Sequence, residues 1–177
     1  LPASTVTTSG YFTAAPVSIA GTASDGGSGV NRVDITIRNG ATGNYWNGSS
    51  FGSATPLWLL ASGTTFWTYS LNPPVDNTFY VQSRATDNVS NVQTVFGTGS
   101  FTLDRVLPTV TSAAATDNTH VLVTFSEPVD NTAANTASYY TITGGAGLTV
   151  SAAARREAID NATVLLTTSL QTAAQAY

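Results

Sequence analysis

Four residues with carboxylate or amide side chains fall in two turn-forming clusters of this 177-residue chain. Asp25 opens Asp25-Gly26-Gly27-Ser28-Gly29, and Asp87, Asn88 and Asn91 lie in Asp87-Asn88-Val89-Ser90-Asn91. Carboxylate and amide oxygens joined by loop carbonyls make up the ligand set of Ca²⁺, so these four residues are a candidate calcium site. The same residue types also close loops on themselves, because Asp and Asn side chains accept hydrogen bonds from backbone N–H groups two residues on. Both readings stand at this point. Asp104, Glu127 and Asp130 form a second acidic set, with plain exposed carboxylates as its alternative. The aromatics offer a different chemistry. Tyr45, Trp46, Phe51, Trp58, Trp67 and Tyr69, flanked by Asn44 and Asn47, either stack sugar rings or fill a core. Trp46 and Trp67 read as core, and Trp58, in Pro56-Leu57-Trp58-Leu59-Leu60, is the residue placed for exposure and sugar contact.

Catalysis finds little to work with. The single His120 precedes Val121-Leu122-Val123 and faces solvent if Val121, Val123 and Phe125 point inward. No G-x-S-x-G elbow, H-E-x-x-H pair or phosphate loop occurs. With no Cys there is no thiolate metal site, cysteine nucleophile or disulfide. With no Lys there is no Lys–Asn isopeptide bond, and all six basic residues are Arg. We read the chain as non-enzymatic. A net charge of −4 leaves little surface to neutralise phosphates, which argues against a nucleic-acid partner. No apolar run approaches the ~20 residues of a membrane helix, so membrane insertion is not expected.

The elements that must position these residues are strands. Val33, Ile35 and Ile37 alternate with Asp34, Thr36 and Arg38, as in a half-buried strand. Val17-Ile19, Phe66-Trp67-Thr68-Tyr69, Phe79-Tyr80-Val81 and Val92 to Phe101 add further strands, separated by Gly-, Asn- and Pro-rich turns. Arg32, Asp34 and Arg84 read as exposed cross-strand partners. A break falls at Leu103-Asp104-Arg105-Val106-Leu107-Pro108. All three Trp precede it, and Ala and Thr dominate after it. In the second part the expected strands are Val110 to Ala114, Val121 to Phe125, Tyr139 to Thr143, Leu148 to Ala152 and Ala162 to Thr167, with a polar loop after Asp130. Short strands at this spacing predict an all-β chain of two tandem antiparallel β-sandwiches, 1–105 and 106–177, joined by a stiff Pro-containing linker.

Two stretches carry a resemblance. Gly21-Thr22-Ala23-Ser24-Asp25, Val33-Asp34-Ile35-Thr36-Ile37, Tyr45-Trp46-Asn47-Gly48 and the run from Ala85-Thr86-Asp87 to Asn91 resemble the Ig-like repeats of bacterial secreted and surface proteins. Ser126-Glu127-Pro128-Val129-Asp130, Tyr139-Tyr140-Thr141-Ile142 and Val164-Leu165-Leu166 resemble the Ig-like domains of S-layer and cell-wall proteins. The resemblance implies Ig-like topology, in which the B–C loop (Asp25) and F–G loop (Asp87, Asn88, Asn91) share one end. It likewise implies that Asp104 meets Glu127 and Asp130 at the junction.

Against that pattern the second module stops at Tyr177, one strand short. Either the chain is cut, or another subunit donates the strand across an open edge. The start at Leu1-Pro2-Ala3, without Met or signal pattern, reads as mature or excised, and the acidic, Thr/Ser/Asn-rich character as extracellular. Asn47, Asn88 and Asn161 stand in glycosylation sequons. The expected function is a structural or adhesion module, a spacer or display stalk of a bacterial surface or secreted protein. Its partners would be neighbouring Ig-like modules, identical subunits or surface glycans. The alternatives are a filament subunit assembled by strand donation and a carbohydrate-binding accessory module. No cofactor is needed apart from the candidate calcium.

Overall fold

The computed structural model describes residues 1–143, 147–157 and 159–171. The fold is of the all-β, β-sandwich class, and the chain divides into two compact units, Leu1–Val106 and Leu107–Tyr177.

In the first unit, β1 (Ala3–Val6), β3 (Val17–Ser24) and β6 (Phe66–Leu71) form a three-stranded antiparallel sheet. Facing it is a five-stranded sheet in the order β2 (Tyr11–Phe12), β8 (Gly97–Leu103), β7 (Asn77–Asp87), β4 (Val30–Asn39) and β5 (Leu59–Leu60). Period-two alternation drives the layering: Val33, Ile35 and Ile37 of β4, Phe79 and Val81 of β7, and Ile19, Trp67 and Leu71 opposite are all fully buried. Trp46 is buried too, and Phe51 stacks on Phe79 at 5.2 Å between ring centres. Most of these side chains contribute about 1.5–3 kcal/mol each by leaving water.

Closure depends on the N-terminal segment. β1 pairs antiparallel with β3, then the chain turns at Gly10 and β2 pairs in parallel with β8. The segment Val92 to Phe101 is not one strand. Val92 makes a bridge to Thr86, and β8 begins at Gly97, because the Gln93 side chain is turned inward. The Ser4 hydroxyl donates to Gln93 Oε1 at 2.7 Å, and Gln93 Nε2 donates back to the Ser4 carbonyl at 3.3 Å.

In the second unit, β11 (Val150–Arg155), β12 (Thr163–Thr168), β10 (His120–Phe125) and β9 (Val110–Asp117) form one antiparallel sheet in that order. Val121, Val123, Val164 and Leu166 face the core, joined by Ala134, Tyr140 and Ile142. Two expectations are corrected here. The loop after Asp130 contains a one-turn helix, α1 (Asn131–Ala134), because the Asp130 carboxylate accepts from the Ala133 N–H and caps it. Residues 139–143 are not a strand: a 3₁₀ turn spans Ala137–Tyr139, and Tyr140 instead donates its hydroxyl to the Ala134 carbonyl at 2.9 Å. The chain end at Tyr177, on which the missing-strand expectation rested, lies outside the described residues.

Gly21 tests the packing of the first unit. A Cβ there would sit 2.0 Å from the Thr5 carbonyl oxygen and 2.2 Å from the Trp67 ring. Both neighbours are held by sheet pairing, so neither can yield. We expect Gly21→Ala to lower the urea unfolding free energy by about 1–3 kcal/mol, and an unchanged midpoint would refute this packing.

Candidate functional site

Asp25, Asp87, Asn88 and Asn91 do come together at one end of the first unit. Asp25 follows β3, and Asp87 closes β7 as its last residue, with the loop beginning after it. Asp25, Asp87 and Asn91 share the lining of one hollow of about 400 Å³ with Gly26, Ser28 and Val89. Three of their oxygens, Asp25 Oδ2 and both of Asp87, are engaged by the loops themselves. Asp25 Oδ2 accepts from the Gly27 and Gly29 amides at 3.1 and 3.0 Å. Asp87 Oδ1 accepts from the Val89 and Asn91 amides at 3.0 and 2.7 Å, and Oδ2 from the Asn91 side chain at 2.7 Å. Asn88 ties the two loops together, donating from Nδ2 to the Ser28 carbonyl at 2.7 Å. Burial pulls the Asp87 carboxyl upward, but hydrogen bonds from Asn91, Val89 and Ser28 outweigh it and hold its pKa below 3.8. Among the described residues these hydrogen bonds clasp the two loops together. Among the described residues no three His, Asp or Glu side chains gather as a metal-binding group.

The other acidic candidates are divided between the units, Asp104 in the first and Glu127 and Asp130 in the second. In the first unit, Asp104 accepts from the Val106 amide at 3.1 Å. In the second, Asp130 caps α1. His120 stands at the β9–β10 turn, half exposed, with Nδ1 2.8 Å from Asp117 Oδ2. The Thr119 hydroxyl approaches the same nitrogen at 3.2 Å. A proton relay needs the hydroxyl and the carboxylate on opposite ring nitrogens, so this trio braces the turn and does not activate Thr119. Asp117 has a pKa lowered to about 2, first by the Thr119 amide and then by His120.

The aromatics divide differently from a single platform. Trp46 and Trp67 are in the core, and Trp46 Nε1 donates to the Tyr69 hydroxyl at 3.1 Å. Trp58 is half-buried on the outer side of the five-stranded sheet, its ring 4.2 Å from the Arg84 guanidinium and edge-on to Phe96 at 4.9 Å. Asp34 is corrected from an exposed to a buried position, 6% accessible, between Arg32 and Arg84 at 3.3 and 3.4 Å. Alternation assigns its face, but only the fold shows what covers that face.

Next to this ion-paired patch the same face holds a hollow that the sequence reading missed. It has a volume of about 220 Å³ and is lined by Thr36, Arg38, Tyr45, Tyr80, Gln82 and Thr98. Cross-strand register assembles it: Thr36 pairs with Gln82 and Gln82 with Thr98, while Arg38 pairs with Tyr80. The available signal was the row Asp34, Thr36, Arg38 on one face of β4. The register that brings Tyr80 and Gln82 beside it is non-local.

No protein-family model and no curated protein matches the chain. A crystal structure of CopC from Methylosinus trichosporium OB3b is similar over 57% of this chain and 93% of its own, with 18% identity and a TM-score of 0.38. A likeness that distant carries nothing about activity.

The clasp makes a pH prediction. Because the folded Asp87 pKa lies below its ordinary value, its contribution is complete above about pH 4 and is lost as pH falls through the folded value. Corrected for intrinsic rates, the Val89 and Asn91 amides should stay protected at pH 6 and lose protection in strong acid before the β7 core does. Millimolar calcium should leave their protection at pH 6 unchanged. A large calcium-induced gain would show that the loops hold a metal.

Proposed function

We propose that the chain is a non-catalytic extracellular spacer or display element, in which the first unit carries tension between its neighbours. The observation that supports this is the parallel pairing of β2 with β8. Gly10 and Phe12 carbonyls accept from the Thr102 and Asp104 amides, both at 2.9 Å. Tension applied at Leu1 and Val106 draws two parallel terminal strands past one another. Their hydrogen bonds are then loaded together in shear, not opened one at a time. Beyond β8, Arg105 is fastened to Asp76 by its amide at 2.8 Å and its Nε at 2.6 Å. That clasp passes load from the end of the unit into the β6–β7 turn. Low charge, strand-rich construction and the absence of Cys and Lys suit an exposed extracellular setting, and no helix of the described residues is long and apolar enough to cross a membrane.

A second reading, strand addition between copies, has its own support in the second unit. All eight residues of β9 are exposed, and among the described residues β9 pairs on one side only, with β10. Val110, Ala113 and Ala115 of that strand border an apolar hollow of about 520 Å³ with Val123, Ile142 and Leu166. An unprotected edge beside an apolar hollow is the geometry that accepts a further strand. Electron microscopy of concentrated protein separates the readings: fibres would favour assembly, and isolated particles the spacer.

Force spectroscopy on a tandem array tests the first reading. Asp104→Pro removes the amide that donates to the Phe12 carbonyl and should lower the rupture force markedly. Tyr69→Phe breaks the Trp46 hydrogen bond away from the terminal strands and should lower the melting temperature with little change in force. Equal loss of force in both variants would remove the load-bearing role from the β2–β8 pair.

A further inference from the structure

We propose that the outer face of the five-stranded sheet binds an acidic polysaccharide, seating one carboxylate-bearing pyranose in the hollow beside Arg38. The proposal is independent of the load-bearing reading.

The first argument is charge. Three of the six arginines, Arg32, Arg38 and Arg84, project from this face, in a chain whose net charge is −4. Asp34 faces both Arg32 and Arg84, at 3.3 and 3.4 Å, and offsets one of their two charges. Arg38 makes no ion pair among the described residues: its guanidinium lies 4.8 Å from the centre of the Tyr80 ring. A guanidinium set against an aromatic ring, with its fork unused, is suited to a carboxylate.

The second argument is the lining. Tyr45 and Tyr80 supply ring surfaces, and Gln82 and Thr98 supply an amide and a hydroxyl able to donate or accept. Thr36 is 1% accessible, and among the described residues its hydroxyl has no hydrogen-bond partner. A desolvated, unpaired hydroxyl under the floor of a hollow is a feature that folding alone disfavours. Aromatic faces alternating with neutral donors and acceptors match a sugar ring, which presents apolar C–H faces and a belt of hydroxyls. The volume of about 220 Å³ is below the range of drug-sized ligands and suits one ring.

The third argument is continuity. From Tyr80 to Arg84 the β7 strand advances by roughly 13 Å, leading from the hollow to the Trp58–Arg84–Phe96 stack. The stack and the hollow lie along one strand, so a chain of sugars seated at Arg38 would extend over Gln82 toward Trp58. This assigns Trp58 to the far end of the site and Arg38 to its charged centre.

Isothermal titration of the full chain with an oligogalacturonate, and with a neutral maltooligosaccharide of equal length, tests the proposal. The uronate oligomer should bind, more weakly as salt is raised, and the neutral one should bind much less. Arg38→Gln should weaken uronate binding about tenfold or more at an unchanged melting temperature. Arg38→Lys should restore part of the loss, and Tyr80→Ala should weaken binding independently. Failure to bind the uronate oligomer would overturn the proposal. So would equal binding of the neutral oligomer, or unchanged uronate affinity in a folded Arg38→Gln variant.

Discussion

The buried amide of Gln93 is the constraint on which the first unit is organised. Its Oε1 accepts from the Ser4 hydroxyl and from the Ala85 amide, and its Nε2 donates to the carbonyls of Ser4 and Val95. A primary amide out of water is costly unless each of its groups is paired. Satisfying this one fixes β1, the end of β7 and the segment before β8 together. The Ser83 hydroxyl completes the knot at 2.9 Å from Ser4 Oγ. With β1 held there, Gly97 and Gly99 lie beneath it with no room for a Cβ, since one would meet the Ser4 carbonyl at 2.5 Å or the Val6 side chain at 2.6 Å. The chain can then cross at Gly10 and present β2 to β8 in parallel.

That crossing has consequences on both faces of the sheet. Inside, it lets Phe12 pack edge-on to Phe101 at 5.6 Å, extending the row that runs through Phe79 and Phe51 to Trp46. Outside, the same strands carry Asp34, Thr36 and Arg38 beside Arg84, Gln82 and Tyr80, because alternation that buries one set projects the other. The pairing that layers the core therefore also holds a polar face in fixed register. The second unit is built more simply, on four central aliphatic side chains of β10 and β12, and among the described residues β9 stands at the edge of its sheet.

Much of the fold was legible where alternation was strong. The Val33-Ile35-Ile37 and Val121-Val123 rows announce their strands, and the Gly- and Asn-rich clusters announce the turns between them. The meeting of Asp25 with Asp87 and Asn91 was legible too, through loop order in a sandwich. Three features were not. α1 is a single capped turn, too short to show a helical period, and its signal was only Asp130 placed before Asn131. Gln93 sits in a stretch whose composition suggests continuous strand, and its inward turn depends on Ser4, distant in sequence. The burial of Asp34 depends on non-local cover: β5 pairs beside it, and the Trp58 ring packs on its partner Arg84. Residue types near Arg38 show no chemistry until register places Tyr80 and Gln82 alongside.

Native-state hydrogen exchange at Thr7 tests the central claim most directly. Its amide donates to the Ala20 carbonyl at 2.9 Å, just beyond β1. If the Gln93 knot locks β1 into the sandwich, Thr7 should open only with global unfolding. Its opening free energy and denaturant slope should then match those of the β7 amides. Exchange at Thr7 through a low-energy, denaturant-independent opening, with β7 still protected, would show that the N-terminal strand frays on its own and that the knot does not organise the unit.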